Sequence, residues 1–267
     1  MNTAILYVCT GNYIDFWEQF YTSCEESFLP NHSKSYFIFT DNNDDDIYNV
    51  EKTNVNTYKI DNLSWPLNTL LRFEYFYKIK EVLKDFDYIF FFNANASFKR
   101  KIYIEDIFPN DENLVGVQHP GYYGYRYLFL PYERRIKKST AYIKNIKKGS
   151  VYLQGCLSGG KANNYLELIY RCRENINLDL SRNIIARAHD ESHLNKYLNS
   201  LSYKDTSILS GAFSYPEDFE KKDDIYILMR SKNSFSWYKD IKKVNCSSDI
   251  YLIRVMKKII KRLIIKK

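Results

Sequence analysis

"DYIFFFNAN", residues 87–95, decides how this chain folds. A short apolar run rich in aromatics closes on Asn93 and Asn95, one residue apart, and reads as a buried strand with a polar end. Immediately upstream, "WPLNTLLRFEYFYKIKEVLKDF" predicts a helix opened by Pro66. Further back, "TAILYVCTGNY", "SYFIFTD" and "NVNTYKI" predict three more strands. A helix lies between the first two, because Tyr13, Phe16, Trp17, Phe20, Tyr21, Cys24 and Phe28 recur at helical spacing. Strands interleaved with helices predict an α/β fold, with a Rossmann-like, mostly parallel central sheet and helices on both faces. Ligands of such sheets bind beyond the carboxyl ends of the strands. The turn at Thr10 to Tyr13 and the pair Asn93 and Asn95 both lie at such ends and are candidates for one cleft. The alternative for the asparagines is local turn chemistry, since Asn bonds nearby backbone readily.

Downstream, the acidic "DNNDDDIYN" reads as a solvated loop rather than a metal site. Residues 119–150 have weak periodicity and many tyrosines, and a long irregular segment in a compact domain usually carries function or is disordered. "VYLQGCLSGG" predicts a buried strand ending on paired glycines, which admit close approach by another backbone or a ligand. A helix from about Ala162 to Asn175 follows. "HDESHLNKYLNS" then predicts a short helix whose start carries His189, Asp190 and Glu191, where the helix dipole alone favours acidic side chains.

The 267 residues are 45% hydrophobic and 27% charged, an ordinary balance for a globular chain with a sizeable core. The net charge of +7 is localised. The last 17 residues, "YLIRVMKKIIKRLIIKK", hold seven Lys and Arg and no acid. Setting those seven aside from the 39 basic residues leaves 32, equal to the acidic ones. A neutral body argues against a nucleic-acid surface. Five cysteines, widely spaced and without a C-x-x-C pair, argue against a disulfide framework or zinc site and fit a reducing cytoplasm. Neither a signal peptide nor a bilayer-spanning run is visible.

Five motifs in order, "FFFNAN", "HPGYYG", "YERR…AYI", "GCLSGG" and "HDESHLNKYL", resemble glycosyltransferase family 6 from about Ala4 to Lys232. The family includes the histo-blood-group A and B transferases, the α-1,3-galactosyltransferase and bacterial relatives. The resemblance implies a GT-A fold over residues 1–240 and retaining transfer of galactose or N-acetylgalactosamine. The donor is a UDP-sugar, and the α-1,3 linkage is made to a galactose that often carries fucose. Val8, Thr10 and Tyr13 then border the uridine. Arg72 and Trp65 serve the transferred sugar, and Asp190 hydrogen-bonds it. Glu191 is the catalytic carboxylate, His119 touches the acceptor and Lys232 meets the diphosphate.

The resemblance also gives the asparagines a meaning. Animal members carry Asp-x-Asp there, whose carboxylates hold a divalent cation against the diphosphate, whereas a carboxamide offers a neutral carbonyl. Asn93 and Asn95 therefore imply transfer without a metal or other cofactor, with Lys232 and Arg230 supplying the compensating charge. The donor-selecting triplet aligns as Gln154, Gly155 and Cys156. Cysteine is larger than glycine or alanine, which leans toward galactose. Ala188 stands before His189 where relatives often carry tryptophan, and Pro131 and Pro216 fall where acceptor contacts are expected, so the acceptor differs from the blood-group H structure.

The tail, 241–267, lies outside the resemblance. Leu252, Ile253, Met256, Ile259, Ile260, Leu263 and Ile264 fall on one side of a helix and the cations on the other, the pattern of an anionic membrane-surface binder. It implies a cytoplasmic protein, peripheral on the inner face of the membrane, acting on an oligosaccharide or lipid-linked glycan. Packing of the tail on the body or a partner is the alternative. For the whole chain, the alternatives are a non-catalytic glycan or nucleotide binder on the same fold and a membrane-surface interaction protein.

Overall fold

The computed structural model describes residues 1–63, 65–146, 150–201 and 205–238; the basic tail lies outside them. The elements run β1 (Asn2–Val8), α1 (Trp17–Ser27), β2 (Ser33–Thr40), β3 (Val55–Lys59), α2 (Leu67–Leu70), α3 (Arg72–Lys78), α4 (Lys80–Leu83), β4 (Tyr88–Asn93), β5 (Ala96–Phe98), α5 (Ile104–Ile107) and β6 (Leu114–Gln118). They continue with β7 (Leu153–Lys161), α6 (Ala162–Ser181), α7 (His189–Leu198), β8 (Thr206–Leu209), β9 (Tyr215–Pro216) and β10 (Ile227–Met229). Seven strands form the central sheet in the order β3-β2-β1-β4-β7-β6-β8, and β5, β10 and β9 form a small second sheet. This is the mostly parallel α/β architecture of the GT-A type.

Strand alternation builds two cores, one on each face. Ile5, Tyr7, Phe90 and Phe92 point toward α1, packing with Trp17, Phe20 and Phe28. Ala4, Leu6, Ile89 and Phe91 point the other way, onto Phe73, Phe76, Leu168 and Ile169. Each such aromatic or aliphatic side chain contributes roughly 1.5–3 kcal/mol on burial. The aromatic run of β4 is thus divided between both faces, as a central strand requires.

Four details differ from the sequence expectations. Residues 11–16 form a 3-10 turn before α1 begins at Trp17. The helix expected after Pro66 is three short helices, stepped at Leu71 and Ile79, whose ψ values of 6° and 19° leave the α region. The steps let Leu67, Leu70, Leu71, Phe73, Phe76, Ile79 and Leu83 all be buried, although they do not fit one helical stripe. α6 continues past Asn175 to Ser181, because Ile176, Asp179 and Leu180 are also buried. Finally, β7 runs antiparallel to both β4 and β6. Its Gly159 and Gly160 admit neighbouring protein, not a ligand: a Cβ on Gly159 would stand 2.6 Å from the Ile89 carbonyl oxygen, and one on Gly160 2.8 Å from a Leu114 methyl.

The reversal of β7 positions the site. β1, β2, β3 and β4 are mutually parallel, and β6 shares their direction because two antiparallel pairings separate it from β4. The first residues of β7 therefore sit beside the carboxyl ends of β4 and β6. The whole connection 119–152 leaves and re-enters the sheet at that rim.

Candidate active site

The start of α7 meets the start of β7. Asn195, fully buried, makes a pair of hydrogen bonds to the backbone of Leu153: its amide donates to the Leu153 carbonyl at 2.7 Å and its Oδ1 accepts from the Leu153 N–H at 2.9 Å. One helical turn earlier on the same face stands Glu191. Its Oε2 accepts from the Gly155 N–H at 2.7 Å and its Oε1 from the Tyr152 hydroxyl at 2.6 Å. Burial raises the pKa of the Glu191 carboxyl, and these two donors together with the Arg72 charge oppose the shift.

Arg72, the first residue of α3, enters from the opposite side. It is 3% exposed, its guanidinium lies 4.4 Å over the Phe91 ring, and its Nη1 donates to the Gly155 carbonyl at 2.7 Å. Its Nη2 forms an ion pair with Asp190. Nε has no hydrogen-bond partner. Burial pushes Asp190 up to about 6, with Arg72 opposing and Glu191 adding to the shift. Gly155 is the residue that lets these groups converge. A Cβ there would lie 2.8 Å from Arg72 Nη2 and 3.4 Å from Glu191 Oε2.

Around this centre, Trp65 is 51% exposed and meets the His189 ring edge-on at 4.9 Å. Burial lowers the His189 pKa to about 4, so its imidazole is neutral at pH 7. His119 Nδ1 accepts from the Gly121 N–H at 3.0 Å, which leaves Nε2 carrying the proton of a neutral ring. His119 packs on Tyr122 at 4.7 Å, and Tyr122 on Tyr152 at 5.4 Å, so an aromatic wall runs from His119 to the Glu191 carboxylate. Ala188 caps α7 and adds little bulk to this opening.

Across the rim, residues 230–238 fold back on the 11–16 turn. Lys232 Nζ lies 5.0 Å over the Tyr13 ring, the Arg230 guanidinium 5.2 Å over Phe16, and Trp237 packs on Tyr13 at 5.1 Å. Burial lowers the Lys232 pKa. Among the described residues neither Arg230 nor Lys232 is paired with a carboxylate. Thr10 Oγ1 accepts from the Asn68 amide at 2.9 Å, and Asp41 and Asn42 hold the turn through the Gly11 backbone. Gly11 has φ +54°, which favours glycine at this sharp exit from β1.

Asn95 is not engaged in the local turn chemistry that the sequence offered as an alternative. Its side-chain amide donates to the Arg230 carbonyl at 2.7 Å, and the Arg230 N–H donates to the Asn95 carbonyl at 2.8 Å. This is a long-range clamp, not a local turn bond, and it sets where Arg230 and Lys232 emerge from β10. Asn93 ends β4 beside Val8, the last residue of β1, whose side chain packs on the core. No group of three or more His, Cys, Asp or Glu side chains suited to a metal ion occurs among the described residues.

The predicted residues thus fall into a central group (Arg72, Gly155, Asp190, Glu191), a rim group (Thr10, Tyr13, Asn95, Arg230, Lys232) and an acceptor-side group (His119, Ala188, His189 with Trp65). Gln154 and Cys156 flank Gly155 on β7, where the pairing with β6 shifts register, and Cys156 packs in the core on the α1 side of the sheet. Cys156 is buried, and its thiol is pushed up to about 12. Pro131 is buried in the 119–152 connection, while Pro216 is the end of β9, paired with Met229. Sequence reasoning missed Tyr152, Asn195 and Asn68. Tyr152 sits two residues before the triplet in a strand-like run, and its alternation with Gln154 hides that its hydroxyl reaches Glu191.

Comparison with known proteins gives a consistent result. A sequence model described as Glycosyltransferase family 6 matches residues 3–241. The O-antigen biosynthesis glycosyltransferase WbnI of Escherichia coli is 43% identical over 239 residues, 90% of this chain and 98% of that protein. The Histo-blood group ABO system transferase 1 of Rattus norvegicus is 30% identical, over 77% of this chain and 58% of its own length. The Globoside alpha-1,3-N-acetylgalactosaminyltransferase 1 of Gallus gallus is 27% identical, over 82% and 63%. The chain therefore spans less than two thirds of these two vertebrate relatives.

Proposed function

The chain belongs to glycosyltransferase family 6, and from that premise we propose that it moves galactose from UDP-galactose, in α-1,3 linkage with retention, onto a galactose-containing acceptor without a metal ion. A glycosyltransferase uses a nucleotide-sugar donor and a glycan acceptor, and the convergence of Glu191, Asp190 and Arg72 on Gly155 carries the finer reading. Cleavage of the sugar–phosphate bond develops positive charge at the anomeric carbon and negative charge on the departing diphosphate. Glu191 faces the first, as a nucleophile or as an ion-pair partner for the oxocarbenium. Its Gly155 and Tyr152 donors favour its carboxylate form against burial and aim it. Asp190, fixed by Arg72, accepts a hydroxyl of the transferred sugar. The departing UDP oxygen takes the acceptor proton as the new glycosidic bond forms.

Metal-free transfer is supported by the chemistry of the donor set. Two neutral carboxamides stand where a cation would need anionic oxygens, and Asn95 already uses its amide on Arg230. Arg230 and Lys232, which pair with no carboxylate among the described residues, balance the diphosphate instead. The preference for galactose over N-acetylgalactosamine rests on the size of Cys156. A relative of O-antigen biosynthesis and the basic tail support a lipid-linked bacterial glycan acceptor, fucosylated or not, met at the inner face of the membrane. The deciding experiment incubates UDP-galactose and UDP-N-acetylgalactosamine separately with fucosylated and unfucosylated acceptors, EDTA present throughout. Transfer persists with EDTA and is faster from UDP-galactose. Abolition by EDTA with recovery on Mn²⁺ overturns the metal-free route.

A further inference from the structure

The connection 119–152 carries an apolar surface that the transfer chemistry does not use. Its inward side chains, Leu130, Tyr132 and Tyr152 with Tyr122, Tyr127 and Ile143, form a small core of their own. That core fixes two 3-10 turns, Pro120–Tyr122 and Tyr127–Phe129. Four residues in and between the turns face outward: Tyr123 is 77% exposed, Tyr125 57%, Leu128 43% and Phe129 67%. Ordered backbone therefore holds four large apolar groups in water within seven positions, a cluster that marks an interaction surface. The same connection is rich in exposed cations. Arg126, Arg134, Arg135, Lys137 and Lys138 are exposed, and none of them is in an ion pair among the described residues. Arg134 donates to the Leu128 carbonyl at 2.8 Å, so charge and apolar turn adjoin directly.

We propose that Tyr123, Tyr125, Leu128 and Phe129, with the cations beside them, are a second, tail-independent contact with an anionic lipid surface, which seats the acceptor mouth on the bilayer. Amphipathic aromatics and aliphatics enter the headgroup boundary while arginines and lysines meet lipid phosphates. The alternative occupant, a glycan stacked on the tyrosines, leaves Leu128, Phe129 and the unpaired cations without a partner. The position suits a lipid-linked acceptor: Tyr125 packs on Tyr122 at 5.5 Å, and Tyr122 on Tyr152, which bonds Glu191. The orientation of the mouth rests on the glycosyl-transfer reading; the lipid contact itself does not.

The test uses the full-length chain with Cys246→Ser, so that the cysteines left are the four buried ones, and Phe129→Cys carrying an environment-sensitive fluorophore. Vesicles of phosphatidylcholine with phosphatidylglycerol, some brominated, shift the label to the blue and quench it; phosphatidylcholine alone does neither. Leu128→Ser/Phe129→Ser lowers vesicle partitioning at least tenfold, and each of Arg134→Gln and Lys137→Gln lowers it about fivefold. Transfer to a soluble oligosaccharide is unchanged in all of these variants. A label that stays unquenched while the chain co-sediments shows docking by the tail alone and overturns the proposal. Loss of soluble transfer with unchanged partitioning identifies a glycan platform and also overturns it. A chain that binds vesicles through Phe129 yet transfers no sugar refutes the catalytic reading and leaves the lipid contact standing.

Discussion

At Asn95 the difference between a carboxamide and a carboxylate is one of sign. The amide nitrogen donates to the Arg230 carbonyl, and an aspartate there would set an anionic oxygen against that same carbonyl. Asn95→Asp therefore opens the clamp that presents Arg230 and Lys232, and donor KM rises about tenfold or more, the loss of one buried hydrogen bond plus a repulsion. Steady-state kinetics against UDP-sugar, with kcat followed separately, checks this. Asp190 gives a second residue-level expectation. Burial raises its pKa from the ordinary carboxylate value of 3.8 to about 6, so the folded chain takes up this proton before the unfolded one as the pH falls. Below pH 6 the Arg72 partner is neutralised, so kcat falls about tenfold per pH unit. By the same linkage this residue favours the folded state more as pH drops from 6 toward 3.8. Activity should therefore fade at a pH where circular dichroism is still native. Coincident loss of both would contradict it.

Among the elements, α7 is the one on which the site depends, and Asn195 is what ties it to β7. Asn195→Ala strands the Leu153 N–H and carbonyl in the interior, at about 1–3 kcal/mol for each. Urea unfolding should show a drop of that order, and kcat should fall further than stability alone explains, because Glu191 shares the helix. The start of α7, β1 to β4 and the glycine pair of β7 are legible in the sequence, since apolar runs, turn residues and acidic helix starts are local signals. The stepped α2–α4, the antiparallel sense of β7 and the clamp between Asn95 and Arg230 are not. Each is set by partners distant in sequence: Phe76 needs the sheet face, β7 needs β6, and Asn95 needs β10. The central group was found through residue types in motif order, whereas Tyr152 has no local mark that separates it from a core tyrosine.

For the whole molecule, the charge map is the guide. The body is balanced, and the surplus lies in residues beyond those described, where seven cations alternate with aliphatic residues. Each cation near an anionic leaflet is worth roughly 1 kcal/mol. Removing residues 251–267 is expected to cut vesicle-bound protein by more than tenfold and to leave transfer to a free oligosaccharide intact. Raising salt should mimic the deletion, since surface charge is screened within about 8 Å at physiological ionic strength. Sedimentation with anionic vesicles reads both, and salt-independent binding would rule out the electrostatic part.

The chain quits the sheet after β6 and returns through β7 at the same edge. The described residues between them, 119–146 and 150–152, hang from that rim like a visor hinged at both sides. Such a visor can be recut without disturbing the pleated floor beneath it. Sugar acceptance and foothold on a membrane would then diverge together between relatives, and grafting one connector onto another catalytic body should carry both traits across.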